Sequence, residues 1–140
     1  MADYFTNFSV AIRLPDESAQ TYSINLASQA CCGRQGDELP ADFPEDLKDA
    51  IEGWDFETEA DSPGPALWFH SNYGGVDSLC AFIQHLLQKF NPTGRVEFEW
   101  SNDCSKPRLD AYGGGAAIVT ATEIKTMSTC QWLQENANAA

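Results

Sequence analysis

Alternating hydrophobic and polar residues mark several stretches of the chain that are typical of β-strands with one buried face. Residues 8–14, 54–59 and 96–100 alternate in this way, and in the third stretch, VEFEW, glutamates separate the apolar side chains. Short apolar runs at residues 66–71 and 116–120 predict two further strands. The pattern therefore predicts strands spread over the whole chain.

Segments with helical spacing of apolar residues lie between these strands. Apolar side chains three or four positions apart predict helices over four segments, residues 17–31, 44–53, 76–90 and 128–133. Asp16 is suited to cap the first helix at its N-terminus. In the last helix, Trp132 and Leu133 are expected to pack onto the core.

The order of these elements predicts an α+β fold. It runs strand, helix, strand, strand, helix, strand, followed by an extra strand and a short C-terminal helix, which matches the split β-α-β arrangement of ferredoxin-like folds. Such a fold has an antiparallel sheet with helices on one face and leaves the other face open. We expect residues 1–134 to form a single domain and residues 135–140 to be a frayed polar tail.

Residues 101–115 are predicted to form a structured loop between the last two strands. The segment carries two bases, a tyrosine and three successive glycines: Lys106, Arg108, Tyr112, Gly113, Gly114 and Gly115. The glycine amides and the two bases could bind a small anion or a nucleotide, on which the tyrosine would stack. The alternative is a glycine bend or bulge where a strand begins, and the spacing is not that of a phosphate-binding loop.

The net charge narrows the range of partners. Eight lysines and arginines stand against 21 aspartates and glutamates, which gives a formal charge of −13. Nucleic acids and anionic membranes would repel such a chain, so direct binding to either is not expected. A basic protein surface is favoured instead. The acidic residues are most concentrated between positions 37 and 61, where eleven stand against one lysine.

Five acidic residues are expected on the open face of the sheet: Asp55, Glu57, Glu59, Glu97 and Glu99. They alternate with apolar residues of two predicted strands, so they point away from the core. If strand pairing brings them together, this face and the acidic segment before it would offer negative charge to a groove rich in Arg and Lys, and so mimic a phosphate backbone. The alternative is that the charge serves only solubility.

The C-terminal half of the chain resembles uncharacterised ferredoxin-like proteins carried by bacterial plasmids and phages. Those proteins have a strand with a tryptophan, a Lys-Pro loop and a glycine-rich return strand, which here correspond to Trp100, Lys106 with Pro107, and Gly113 to Gly115. The resemblance implies a ferredoxin-like fold and a mobile-element setting. With the acidic face, it suggests an inhibitor of a host nucleic-acid-binding complex, of an anti-defence or anti-CRISPR type.

Catalytic and metal chemistry have few candidates in the sequence. A thiolate-imidazole enzyme would need Cys104 with His70 or His85, but no family signature surrounds Cys104. Glu97 and Glu99 share a strand face and could bind a divalent cation or act as acid and base, although alternation alone does not create an active-site cleft. The cysteines and histidines lack zinc-ligand spacing, so we expect no metal, no cofactor and no catalytic residue.

The five cysteines bear on the cellular compartment: Cys31, Cys32, Cys80, Cys104 and Cys130. They are odd in number, show no Cys-x-x-Cys spacing and accompany no visible signal peptide, which predicts reduced thiols in a cytoplasmic protein. The adjacent Cys31 and Cys32 are expected to fill the core rather than to form a reactive pair. The sequence leaves the oligomeric state open.

Overall fold

The computed structural model describes residues 4–106 and 112–137, and the α+β class is confirmed. The strands are β1 (Tyr4–Arg13), β2 (Glu57–Asp61), β3 (Ala66–Ser71), β4 (Arg95–Cys104), β5 (Gly113–Thr120) and β6 (Ile124–Ser128). The helices are α1 (Glu17–Arg34), α2 (Val76–Phe90) and α3 (Thr129–Asn136), and a 3₁₀ helix spans Glu45–Gly53.

All six strands belong to one open antiparallel sheet. Its strand order is β2-β3-β1-β4-β5-β6, and each strand runs antiparallel to its neighbours. The order of the whole sheet is not that of a four-stranded ferredoxin-like sheet, because β5 and β6 extend it beyond β4. The edge strands are therefore β2 and β6.

The core lies between the sheet and its helices. Along β1 the side chains of Phe8 and Val10 are buried, and Phe98 of β4 and Val119 of β5 lie on the same face. Helix α2 covers this face with six buried apolar residues, namely Leu79, Cys80, Phe82, Ile83, Leu86 and Leu87. Because burial of each large side chain stabilises the fold by about 1.5–3 kcal/mol, this stripe explains why the predicted bounds of α2 agree with those observed.

Helix α1 begins directly after Asp16, the residue that the sequence predicts as its N-cap. The Ala19 amide donates to the Asp16 carboxylate over 2.8 Å, and Ala19, Leu26 and Ala30 are buried. The helix continues past the predicted end at residue 31 to Arg34. Cys31 is half-buried and Cys32 is exposed, so the prediction that Cys32 fills the core is wrong.

The predicted helix at residues 44–53 is a 3₁₀ helix that starts after Pro44. Its Leu47 and Ile51 are buried, and it packs against α1 and α2 rather than against the open face. The dense acidic segment that precedes β2 therefore belongs to the helical layer.

Four buried aromatic rings join the 3₁₀ helix, the sheet and α2. The rings of Trp54 and Phe82 lie 4.9 Å apart, as do those of Trp54 and Phe56, and the Phe69 ring meets Phe82 at 5.7 Å. Trp54 and Phe56 were predicted to lie in a strand, but β2 begins only at Glu57. Their side chains are buried by packing within the aromatic cluster, not by strand pairing.

The C-terminal third differs most from prediction. Residues 101–104 continue β4 and Gly113–Gly115 begin β5, so much of the predicted loop is paired strand. The edge strand β6 was not predicted. Trp132 and Leu133 of α3 are 53% and 62% exposed, so the prediction that they pack onto the core is wrong.

Gly115 is required by the strand next to it. It pairs with Trp100 across the ladder of β4 and β5, and the Trp100 ring lies over it. A Cβ at this position would overlap both the Trp100 ring and the carbonyl oxygen of Met127 on β6. The glycine therefore allows three strands to approach each other around a large indole.

We expect Gly115→Ala to lower the free energy of unfolding by about 1–3 kcal/mol, because the added carbon forces the surrounding strands apart. Urea unfolding followed by circular dichroism measures the loss. Ala116→Val, one position along β5 and on the opposite face, is the control and should change stability by less than about 0.5 kcal/mol. Equal stability of the wild type and Gly115→Ala would contradict this interpretation.

Candidate functional site

The face of the sheet opposite α2 carries four exposed glutamates. Glu57 and Glu59 lie on β2, Glu97 and Glu99 lie on β4, and all four alternate with core-facing residues. The buried side chain of Phe98 between Glu97 and Glu99 directs both carboxylates outward. The structure thus brings four of the five predicted acidic residues onto one face.

The fifth residue, Asp55, lies elsewhere. It precedes β2, and its carboxylate is 3.4 Å from Nε of Arg34 on α1. Asp55 is therefore oriented towards the helical layer. Its assignment to the open face is wrong, because the strand begins at Glu57, three residues later than the sequence pattern indicates.

The four glutamates form two separate pairs. Strands β3 and β1 lie between β2 and β4 in the sheet, so two strands separate one pair from the other. The rows between them are largely uncharged, with Trp68 opposite Ala11 and His70 opposite Ser9. The open face therefore has two acidic patches with a largely uncharged strip between them.

Basic residues offset part of this charge. By strand alternation the described face carries six carboxylates, Glu57, Glu59, Asp61, Glu97, Glu99 and Asp103, and three bases, Arg13, Arg95 and Lys125. Arg95 forms an ion pair with Glu97. Exposed pairs of this kind contribute only about 0–1 kcal/mol, so they can exchange for contacts with another molecule.

The glycine-rich segment has the geometry of a strand rather than of an anion-binding loop. Gly113, Gly114 and Gly115 pair with Asn102, Ser101 and Trp100, and the Gly114 amide donates to Oγ1 of Thr129 over 3.1 Å. The position agrees with the alternative interpretation, in which the glycines lie where a strand begins. Tyr112 and Lys106 are exposed, and Arg108 lies outside the described residues.

Two arginines line a cavity between β1, α2 and β4. The β1–β4 ladder covers Tyr4–Asn7 and Ser101–Cys104, and a cavity of about 290 Å³ is lined by the last part of β1, the end of α2 and the first part of β4. Arg13 and Arg95 are among its lining residues. The two halves of the sheet are therefore joined closely only near one end of β1.

The proposed thiolate-imidazole pair does not form. Alternation along β4 places Cys104 on the core side, whereas His70 lies on the open face and bonds to Glu59. His85 is hydrogen-bonded to two other side chains in the helical layer. The cysteine and the histidines are thus held in different parts of the structure.

Those partners of His85 form a hydrogen-bonded chain across three elements. Nδ1 lies 2.9 Å from the Asp46 carboxylate of the 3₁₀ helix, and Nε2 lies 2.9 Å from the Tyr22 hydroxyl of α1. Burial, with smaller contributions from Asp46 and Asp42, raises the pKa of Tyr22. The phenol therefore stays protonated and acts as a hydrogen-bond partner, not as a nucleophile.

The sequence interpretation did not recognise that His70 belongs with Glu57 and Glu59. Its Nε2 lies 2.6 Å from Oε2 of Glu59 and 3.6 Å from Oε2 of Glu57. The signal was available, because a turn that pairs Asp61 with Ala66 also sets Glu57 opposite His70. Register across a hairpin, rather than spacing along one strand, brings the three side chains together.

Comparison of the chain with protein-family models, with curated proteins and with solved structures found no match. Among the helices of residues 4–106 and 112–137, none combines the length and the apolar character needed to cross a membrane.

We expect His85→Gln and Tyr22→Phe each to lower the free energy of unfolding by about 1 kcal/mol, since each breaks the chain that holds α1, the 3₁₀ helix and α2 together. Chemical denaturation measures the change. Tyr73→Phe, at a tyrosine that is 75% exposed, serves as the control and should have no effect. Wild-type stability in both variants would show that this series of hydrogen bonds does not stabilise the packing of the three elements.

Thiol reactivity should follow burial. Burial, with a smaller contribution from Asp77, raises the pKa of the Cys80 thiol to about 12, and burial also raises the pKa of Cys31. At about pH 8, a thiol reagent should therefore label the exposed Cys32 and Cys130 first and Cys80 only after denaturation. Mass spectrometry of timed samples identifies each site. Labelling of Cys80 at the rate of Cys32 would contradict the burial of α2.

Proposed function

We propose that this protein is a non-catalytic binding module whose open sheet face docks onto the basic surface of a nucleic-acid-binding protein. The observation that carries the proposal is that Glu57, Glu59, Glu97 and Glu99 are exposed on one face opposite α2. A partner can approach that face without displacing any part of the core.

Charge complementarity argues for a basic partner. The whole chain carries a formal charge of −13, and the described open face has twice as many carboxylates as bases. Such a surface repels nucleic acids and anionic membranes and accelerates encounters with Arg-rich and Lys-rich proteins. A groove that normally receives a phosphate backbone has the matching charge.

The strand glutamates are held in fixed positions, unlike charges on a disordered tail. Register in the β2–β3 ladder fixes Glu57 relative to Glu59, and register in the β4–β5 ladder fixes Glu97 relative to Glu99. A partner therefore meets a patterned surface at little cost in ordering this protein. This rigidity supports specific docking and nucleic-acid mimicry over a role in solubility alone.

A ferredoxin-like origin of the scaffold is part of the proposal. Strands β1 to β4 have the order β2-β3-β1-β4 with α1 and α2 in the two crossovers, which supports a split β-α-β core extended by β5 and β6. A cytoplasmic inhibitor carried by a mobile element and directed against a host complex is the setting in which such a mimic would act.

The test is capture from a bacterial lysate on the immobilised protein, with elution by increasing salt and identification by mass spectrometry. We expect a nucleic-acid-binding protein that double-stranded DNA displaces. If each lost charge weakens binding by about 0.5 kcal/mol, the variant Glu57→Gln/Glu59→Gln/Glu97→Gln/Glu99→Gln should bind it about 30-fold more weakly.

The matched control removes four charges from the helical layer and the segment leading to it: Asp37→Asn/Glu38→Gln/Asp49→Asn/Glu52→Gln. It has the same net charge as the open-face variant, so it separates position from total charge. The control should retain the partner. Equal loss in both variants, or retention of nothing that DNA displaces, would overturn the proposal.

A further inference from the structure

We propose that Glu57, Glu59 and His70 form a binding site for a divalent transition-metal ion, and that this ion is Zn²⁺. The three side chains share the open face at the β2 edge, where Glu57 lies directly opposite His70 in the ladder and Glu59 is opposite Trp68. One ligand atom from each residue lies within 4.8 Å of the other two. The site shares Glu57 and Glu59 with the proposed docking face, but its test needs no partner protein.

The distances are close to those of a metal centre. Zinc bonds to imidazole nitrogen and carboxylate oxygen are about 2.0–2.2 Å long, so two ligand atoms of a tetrahedral site are about 3.4 Å apart. The distances from Nε2 of His70 to the two Oε2 atoms, 2.6 and 3.6 Å, lie on either side of that value. Small rotations of exposed glutamate side chains are enough to admit the ion.

The histidine ring is already oriented. It stacks on Trp68 with ring centroids 4.0 Å apart, and the indole Nε1 donates to Oγ of Ser9 on β1 over 2.8 Å. The ring is thereby fixed with Nε2 towards the glutamates. On metal binding, the Nε2 lone pair would bind the ion in place of its contact with Glu59, and the neutral imidazole would carry its proton on Nδ1.

A recess beside Glu57 and His70 leaves room for the rest of the coordination sphere. It has a volume of about 370 Å³ and is lined by Asp55, Glu57 and His70 together with Asn72 and Tyr73 of the segment before α2. Water or a further ligand can complete a tetrahedron from this side. An open fourth position is typical of zinc sites with three protein ligands.

The donor set selects the class of ion. One nitrogen and two carboxylates suit Zn²⁺ and neighbouring transition metals, whereas Ca²⁺ and Mg²⁺ prefer oxygen ligands throughout. Two carboxylates and a neutral imidazole balance the charge of a divalent ion. Because the site is built across a hairpin, the spacing of histidines and cysteines along the chain does not reveal it.

The experiment is calorimetric titration of the full chain with zinc chloride, without any partner protein. We expect one saturable site. Since loss of a residue that merely orients a ligand weakens metal binding about 10–100-fold, His70→Gln and Glu57→Gln/Glu59→Gln should each weaken it about 100-fold or more. Glu97→Gln/Glu99→Gln removes the same two charges elsewhere on the face and should leave the affinity unchanged.

The adjacent thiols require their own control, because Cys31 and Cys32 can also bind zinc. The affinity of the site should be the same in a Cys31→Ser/Cys32→Ser background. Co²⁺ titration supplies a second readout, in which quenching of tryptophan fluorescence should decrease in Trp68→Phe while binding persists. Absence of saturable binding, unchanged affinity in His70→Gln, or loss of binding with the cysteines would overturn the proposal.

Discussion

The packing of Phe56, Phe69 and Phe82 against one another, with Trp54 at their edge, is the interaction on which the rest of this structure depends. The cluster connects the chain entering β2 with β3 and with α2. Because side chains alternate along a strand, fixing Phe56 in the core directs Glu57 and Glu59 outward. A shift by one residue would bury both carboxylates without partners, which is far more costly than any surface contact they make. The acidic face is therefore a consequence of how the core is packed.

Sequence patterns predict the elements that bury a periodic apolar face and miss those that do not. Helix α2 was predicted to its ends because Leu79, Ile83 and Leu86 recur at helical spacing. Strand β6 was missed because no residue in Ile124–Ser128 is buried, so its order comes from backbone pairing with β5. The glycine triplet was read mainly as a loop, since a sequence does not show that the Trp100 indole occupies the space where a Cβ would be. His70 and Glu57 meet only through hairpin register, which no single strand encodes.

The two layers of the protein use their polar groups differently. In the helical layer, Asp46, His85 and Tyr22 satisfy one another and connect the 3₁₀ helix, α2 and α1. On the open sheet face, the glutamates make at most exposed ion pairs, and the described part of that face carries excess negative charge. Groups that are already satisfied internally have little to gain from another molecule. The open face therefore holds the polar groups that remain free to bind a partner or an ion.

The narrow joint between β1 and β4 has a mechanical consequence. Ladder pairing between the two halves of the sheet is confined to Tyr4–Asn7 and Ser101–Cys104, while a cavity lined by both strands and α2 lies towards their other ends. A sheet resists bending mainly where its strands are laddered, so resistance is lowest along this line. We therefore expect the two halves, each with one glutamate pair, to tilt relative to each other more easily along this line than either half bends within itself. Small changes in the dihedral angle between them would adjust the curvature of the charged surface to the shape of a concave partner.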